Sequence, residues 1–416
     1  MDALLPMLSY PDALERLLEI TSSPRMGLGR MELLLSFLGD PHRSFSSIHV
    51  AGTNGKGSTL AFCDALLAKV GLRRGRTTSP HLTCARERIC LNGESISAEL
   101  FCQLEAKVAS AASRMGDDRP TFFERMIALS FLAFEVWEVD VALVEVGLGG
   151  RLDATNVLHP EVCGISRIAI DHTRWLGDDV KSIAKEKAGI FCEGVPVFYA
   201  EQEELVADVL EDCAKKTNAF LLRAEILPDE VKIGLQGAHQ RENASLALAL
   251  VSSFLEKKGV GYSGDALFAA LSEASWSGRL EFFDDLNVML DGAHNENAAR
   301  ALARAFDAPP TWTLLFGATE GHDAKAFARA LVEEGLRPSR VWITQASAPR
   351  SVASSKMIQD VQSCFSCEVV EKPLQDASEV LLSSSTYVLV TGSLYLVGEV
   401  RSWLREMPVD PVLPFF

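Results

Sequence analysis

"SFSSIHVAGTNGKGSTLAFCDALLAKVG", residues 44–71, decides the fold. It reads as a short apolar strand, a glycine loop and an apolar helical run. In a strand–loop–helix unit the loop N–H groups and the helix N-terminus converge on one point and can cradle phosphate oxygens. Lys56 would reach the terminal phosphates, and the Ser58 hydroxyl would sit on Mg²⁺. The strict pattern GxxxxGK[ST] is not met, because Gly57 separates Lys56 from Ser58 and the first glycine lies closer. The candidate nucleotide loop is Gly52, Thr53, Asn54, Gly55, Lys56, Gly57, Ser58 and Thr59.

The flanking chain repeats the same grammar. "DALERLLEI" (12–20) reads as a short amphipathic helix, "TSSPRMGLGR" (21–30) as a loop, and "MELLLSFLG" as a helix. "RICLNGESIS" (88–97) carries an Asn-Gly pair between alternating residues, a hairpin signal. Residues 98–115 and 121–138 read as helices. "VDVALVEV" (139–146) is a continuous apolar run, as in a strand buried on both faces, and it runs into a second glycine loop, "GLGGRLDATN". "VCGISRIAI" (162–170) is a further strand ending at Asp171 and His172. "DDVKSIAKEKAGI" is a helix, "VPVFYA" a strand, and 239–257 a long helix. Alternating strands and helices predict a mostly parallel sheet covered on both faces.

Near residue 278 the register changes. "GRLEFFDDLNVMLDGAHN" reads as two short strands around a polar turn. Four strand-like runs follow: "TWTLLFG", "RVWIT", "CEVV" and "YVLVTGS". The expected architecture is α/β with two domains. A P-loop ATPase-like domain with helices on both sheet faces spans 1–285, and a smaller Rossmann-like domain spans 286–416.

Composition narrows the function classes. The chain has 416 residues, 48% of them hydrophobic, so it can bury sizeable cores without disulfide or metal staples. A net charge of −16 argues against a broadly nucleic-acid-binding or anionic-membrane-binding surface. It leaves room for a local basic pocket, for which Arg73, Arg74, Arg76, Arg86 and Arg88 are candidates. Nine scattered cysteines include one CxxC pair, Cys364 and Cys367, with no second pair to complete a metal site. The N-terminal stretch lacks a basic region and a long apolar core, so the expected location is the cytoplasm.

Beyond the loop, chemistry-bearing residues sit at strand ends, where open α/β sheets place their ligands. Glu145 ends the buried run 139–146, and a carboxylate there suits Mg²⁺. Asp171 and His172 follow another strand. Lys187 stands in "EKAGI", and a lysine amine that loses its proton can react with CO₂ to give a carbamate. Arg279 precedes the domain junction, while Asp291 and His294 follow it. Cleft residues from both domains are common at ligand sites.

The order of the motifs carries a resemblance. "HVAGTNGKGST", "TSPHL…RERI", "VEVGLGGRLDATN", "AIDHTRWLG", "IAKEKAGIF", "HQRENASLAL", "SGRLE", "LDGAHN" and "TGSLYLVGEV" run in sequence over about residues 20–400. Together they resemble folylpolyglutamate synthase/dihydrofolate synthase, the folate branch of the Mur ligase superfamily. The resemblance implies an ATP-dependent amide ligase that joins L-glutamate to dihydropteroate or to reduced folates through an acyl phosphate. It implies ATP and two Mg²⁺ ions, a monomer, and no nucleic-acid or membrane partner. By motif, Lys56 and Ser58 match phosphate and metal residues, and Ser79, Glu145 and His172 match Mg²⁺ ligands. Lys187 matches a carbamylated lysine. Asn243, Arg279, Asp291 and His294 match ATP-contacting positions. The glutamate site is expected near His294 and Ser393. The pterin is expected near Pro80, His81, Phe122 or Phe123, and Asp153.

Some segments depart from the family. In "FGATEGHDAKAF" Gly321 and His322 precede Asp323, where the family usually has a lysine–aspartate pair. Arg125 stands in place of an apolar residue, and "ITQASAPRS" retains Pro349 and Arg350 but is otherwise loose. Two competing readings predict different sequences. A peptidoglycan Mur ligase carries a nucleotide-sugar domain before the P-loop, and about 50 residues here are too few for one. A degenerate P-loop binding protein predicts loss of Lys56, Glu145, His172 or Arg279, and all four are present.

Overall fold

The computed structural model describes residues 8–18, 27–348, 350–383, 386–407 and 410. The end of the helix expected at 12–20, most of the loop expected at 21–30, and Pro349 lie outside them.

The first sheet has eight strands: β1 (Ser46–Ala51), β2 (Arg74–Thr77), β3 (Ile89–Leu91), β4 (Glu94–Ser95), β5 (Val141–Glu145), β6 (Val162–Ile165), β7 (Pro196–Tyr199) and β8 (Phe220–Arg223). Their order is β4-β3-β2-β5-β1-β6-β7-β8. The β2–β3 and β3–β4 pairs are antiparallel; the others are parallel. The turn between β3 and β4 is the expected Asn92-Gly93, both at positive φ. Burial on both faces explains the apolar run of β5, whose alternate side chains enter different cores. Val141 and Leu143 of β5 join Ile48, Val50 and the helix Lys56–Lys69 in one core. Ala142 and Val144 face the helices Ala98–Ser113 and Phe122–Val136 in another. Each fully buried Leu or Phe side chain adds about 1.5–3 kcal/mol of apolar transfer.

The second sheet has six strands: β9 (Glu281–Phe283), β10 (Val288–Leu290), β11 (Trp312–Phe316), β12 (Arg340–Ile343), β13 (Glu368–Glu371) and β14 (Tyr387–Thr391). Their order is β13-β12-β11-β14-β10-β9, parallel except β9–β10. A boundary near 285 would leave β9 with the first domain, yet β9 hydrogen bonds to β10 in the second sheet.

Three expectations change, the first at β2: the polar run Arg74–Thr77 is assigned no element from sequence, yet it pairs with β5 and β3 inside the sheet. The strand expected over 162–170 stops at Ile165, because the chain then bends toward the glycine loop. The Arg167 carbonyl accepts N–H bonds from Thr53 (2.9 Å) and Asn54 (3.1 Å). Strand β8 was not expected from sequence. It is a four-residue edge strand whose Phe220 and Leu222 are exposed, so it lacks the apolar run that marks a buried strand.

Candidate active site

β1, β5 and β6 are neighbours, and their C-terminal ends open into one cleft of ≈ 1150 Å³. At the end of β1 the chain turns through Gly52 (φ 150°) and Gly55 (φ 90°). A Cβ on Gly52 would lie 1.9 Å from Ser166 Oγ, and one on Gly55 would lie 2.3 Å from Asn243 Oδ1. Only glycine fits at either point. The helix Lys56–Lys69 starts immediately after, so the first amides at Lys56, Gly57 and Ser58 are the donors a helix start leaves unsatisfied.

Thr53 and Asn54 line the cleft but serve the loop's own frame. Besides their amide bonds to Arg167, the Thr53 hydroxyl donates to Ala169 O (3.0 Å). The Asn54 amide donates to Asn295 Oδ1 (3.2 Å) and Asn297 Oδ1 (3.0 Å), across the domain junction. The loop amides left without a protein acceptor therefore begin after Asn54.

Lys56 Nζ donates to the carbonyls of Gly52 and Thr53, 3.1 Å each, and stands 3.9 Å from Glu145 Oε1. Glu145 is buried and accepts the Ser79 N–H at 3.1 Å. Burial raises its pKa, opposed chiefly by Lys56. Lys187 is also buried and donates to Gly52 O at 2.7 Å. Burial, with Lys56 nearby, pushes its amine down to about 7.

Asp171 stands at the centre of three imidazoles. His172 Nε2 and His294 Nε2 are each 4.0 Å from its carboxylate, and His322 Nδ1 is 3.8 Å away. The Asn295 amide donates to Asp171 Oδ2 at 3.0 Å. Burial would raise the Asp171 pKa, but the three imidazoles and Asn295 hold it below the usual value. Burial and the neighbouring His294 push His322 down to about 4. His294 is oriented by its other nitrogen, Nδ1, at 2.8 Å from Gly292 O.

On the second domain's side, Asp291 accepts the N–H groups of Leu280 (3.0 Å) and Ala293 (2.9 Å). It thus clamps the segment carrying Arg279, whose guanidinium donates to Gly278 O at 2.9 Å. Asn243 backs Gly55 and donates to Gln240 Oε1 at 3.0 Å. Ser393 caps the helix Leu394–Leu404, accepting the Tyr395 N–H. Asp153 binds the second glycine loop: it accepts Leu148 N (2.8 Å), Thr155 N (3.0 Å) and the Thr155 hydroxyl (2.6 Å). That hydroxyl gives its proton to Asp153, so it accepts from His49 Nε2 at 2.8 Å.

The cleft is lined by Gly52 through Ser58, Ser79, Pro80, Phe122, Phe123, Glu145, Asp153, His172, Lys187, Asn243, Arg279, Asp291, His294 and Ser393. Two candidates fall outside it. Thr59 is fully buried in the helix, facing the core rather than the cleft. His81 lies behind the loop, where its Nδ1 accepts from Arg88 Nε at 2.9 Å. The basic cluster suggested by sequence is largely internal: Arg74 and Arg76 pair with Asp64, and Arg86 donates to Ile96 O. Sequence reading missed Asn295, Asn297 and His239. The first follows His294 directly and carries a helix N-cap signal, accepting Ala298 N at 2.9 Å.

The donor set suits Mg²⁺ held jointly with nucleotide oxygens. Glu145, Ser58 and Ser79 offer hard oxygen atoms beside Lys56. Among the described residues no group of three or more His, Cys, Asp or Glu side chains could hold a metal alone.

A glycine-loop nucleotide site closed by a second α/β unit defines a ligase-type architecture, and the comparisons agree. The family described as Mur ligase, glutamate ligase domain, matches residues 278–394. The dihydrofolate synthase/folylpolyglutamate synthase of Bacillus subtilis is 32% identical over 91% of this chain and 95% of its own. The Mycobacterium tuberculosis folylpolyglutamate synthase complexed with ADP is 30% identical, with a TM-score of 0.86 over 94% of this chain and 98% of that one. The bifunctional Yersinia pestis enzyme complexed with AMPPNP and Mn is 28% identical, with a TM-score of 0.82 over 96% and 98%. The chain belongs to the dihydrofolate synthase/folylpolyglutamate synthase family.

Proposed function

We propose that this chain is an ATP-dependent ligase that forms an amide between L-glutamate and the carboxylate of dihydropteroate, of a reduced folate, or of both. The observation that carries the reading is Lys56 standing 3.9 Å from Glu145 at the glycine loop, with Arg279 and His294 of the junction and second domain in the same cleft. Relatives named for both activities, and similar structures holding ADP or AMPPNP with Mn, support it.

The acceptor carboxylate oxygen attacks the γ-phosphorus of ATP, ADP leaves, and an acyl phosphate forms. The glutamate amine then attacks the acyl carbon, phosphate leaves, and the nitrogen gives up a proton. Helix-start amides from Lys56 to Ser58 bind the phosphate oxygens, and Lys56 offsets their charge. Arg279 supplies a second cation from the junction. A bound Mg²⁺ would neutralise phosphate charge and help to orient the attack. Ser58, Ser79 and Glu145 would hold a first ion, and His172 would serve a second. Lys187, with an amine near neutrality, fits carbamylation: its nitrogen bonds CO₂ and releases a proton. Phe122 and Phe123 offer aromatic faces for the pterin.

No helix among the described residues is long and apolar enough to cross a membrane. Nine free thiols fit a reducing compartment such as the cytoplasm. The test is phosphate release with ATP, Mg²⁺ and L-glutamate, run separately with 7,8-dihydropteroate and tetrahydrofolate. Release that requires both glutamate and one of these acceptors is expected. Silence with both acceptors, from folded protein that still binds ATP, overturns the reading.

A further inference from the structure

Six arginines line the cleft, and five are engaged by the protein itself. Arg167 donates to Glu201 O at 3.0 Å, Arg300 meets Glu333 at 2.8 Å, and Arg304 meets Glu334 at 2.7 Å. Arg279 and Arg350 donate to the carbonyls of Gly278 (2.9 Å) and Glu320 (3.0 Å). Arg174 differs. Among the described residues no carboxylate or carbonyl oxygen lies within hydrogen-bond reach of its guanidinium, which sits 5.5 Å from the centre of the Trp175 ring. Trp175 also lines the cleft and is 39% exposed, a large apolar face left in water.

The placement of this pair is set by packing. The short helix Thr173–Leu176 follows His172 directly. Leu176 presses on Gly149, where a Cβ would come within 3.0 Å of its Cδ2. Phe123 presses on Gly147 of the same loop, where a Cβ would lie 2.5 Å from its ring. Arg174 and Trp175 therefore flank the same glycine loop as the aromatic side chain that we assign to the acceptor. A free guanidinium beside an exposed aromatic face matches a ligand with an aryl ring and a carboxylate.

We propose that Arg174, presented by Trp175, recognises an acceptor carboxylate that does not react, namely the α-carboxylate of a glutamyl residue already attached. The inference rests on the ligase reading above. It distinguishes the two acceptors, because dihydropteroate has a single carboxylate and that one is consumed. A glutamylated folate brings at least one more negative charge, and Arg174 is the cleft arginine that, among the described residues, has an aromatic face but no carboxylate or carbonyl oxygen as its partner.

The test is steady-state kinetics of Arg174→Gln and Arg174→Lys with dihydropteroate and with tetrahydrofolate. In Arg174→Gln the KM for tetrahydrofolate rises about fivefold relative to that for dihydropteroate, the scale of one exposed charge pair. Arg174→Lys keeps the charge and recovers part of the loss. The effect of the substitution on the KM ratio also shrinks as salt is raised. If only tetrahydrofolate is turned over, the KM for ATP is the reference. An unchanged KM ratio, or a wild-type enzyme that turns over dihydropteroate and no glutamylated acceptor, overturns this inference alone. A folded wild-type chain silent with both acceptors overturns the ligase reading and this inference with it.

Discussion

The two halves of the cleft are built differently. On the first domain, the charged groups are held by backbone, with Lys187 and Glu145 buried and Lys56 half-buried: Lys187 and Lys56 on the Gly52 carbonyl, Glu145 on the Ser79 amide. On the second domain, Asp291 is held by the amides of Leu280 and Ala293, but several other polar groups lean on side chains across the junction. His294 and His322 face Asp171, Asn295 bonds Asp171 and Asn54, and Asn297 accepts from Asn54. Under the proposed function the phosphate groups meet a surface built mainly by the first domain, with Arg279 added at the junction, whereas the second domain's contribution depends on how the domains meet. Changes on the first side should abolish chemistry, and changes at the junction should shift substrate binding.

The largest effect expected is for Lys56→Ala. Loss of the cation at the glycine loop lowers kcat by about a thousandfold or more. Near-normal ligation by this variant, measured as phosphate release, would break the contrast between the halves. Glu145→Gln keeps the shape but removes the negative charge, and the Mg²⁺ concentration for half-maximal rate rises by about 10- to 100-fold. An unchanged Mg²⁺ titration would take Glu145 out of the metal site.

Lys187→Ala is expected to lower turnover by about 10- to 100-fold, with partial rescue by acetate. The wild-type residue adds a pH signature. A lysine lowered to about 7 is mostly neutral at pH 8 and mostly protonated at pH 6. Only the neutral amine bonds CO₂, so CO₂-depleted enzyme regains activity at pH 8 and lags at pH 6, at equal dissolved CO₂. A fully active Lys187→Ala enzyme would remove the carbamate role.

What was legible in the sequence follows the same division. The glycine loop, Lys56 and Glu145 could be picked out because each sits in or beside a short strand–turn signal whose geometry is local, whereas Lys187, at the end of the helix Val180–Lys187, stands out only through the family resemblance. The parallel sheet was readable because strands buried on both faces show as apolar runs. Strand β8 was not, since an exposed edge needs no apolar run. Nor were the roles of Thr53, Asn54 and Asp153. Their partners at Arg167, Asn297 and Leu148 are set by folding and domain contact rather than by spacing. His81 carried a motif match, yet the fold turns it to Arg88 instead of the cleft.

The smallest effect sharpens the contrast most. Asn297→Ala removes one bond to Asn54 at the junction, worth about 1 kcal/mol. The KM for glutamate should rise a few-fold, while ATP affinity measured by calorimetry stays near wild type. An equal loss of ATP affinity would show that the glycine loop itself depends on the junction.

The central claim is that the cleft activates an acceptor carboxylate by phosphorylation. It is tested most directly with acceptor labelled by ¹⁸O in the reacting carboxylate. The account predicts that one labelled oxygen per turnover leaves with the inorganic phosphate, because the acyl phosphate breaks between the acyl carbon and that oxygen. Unlabelled phosphate, with amide product still formed, would contradict it.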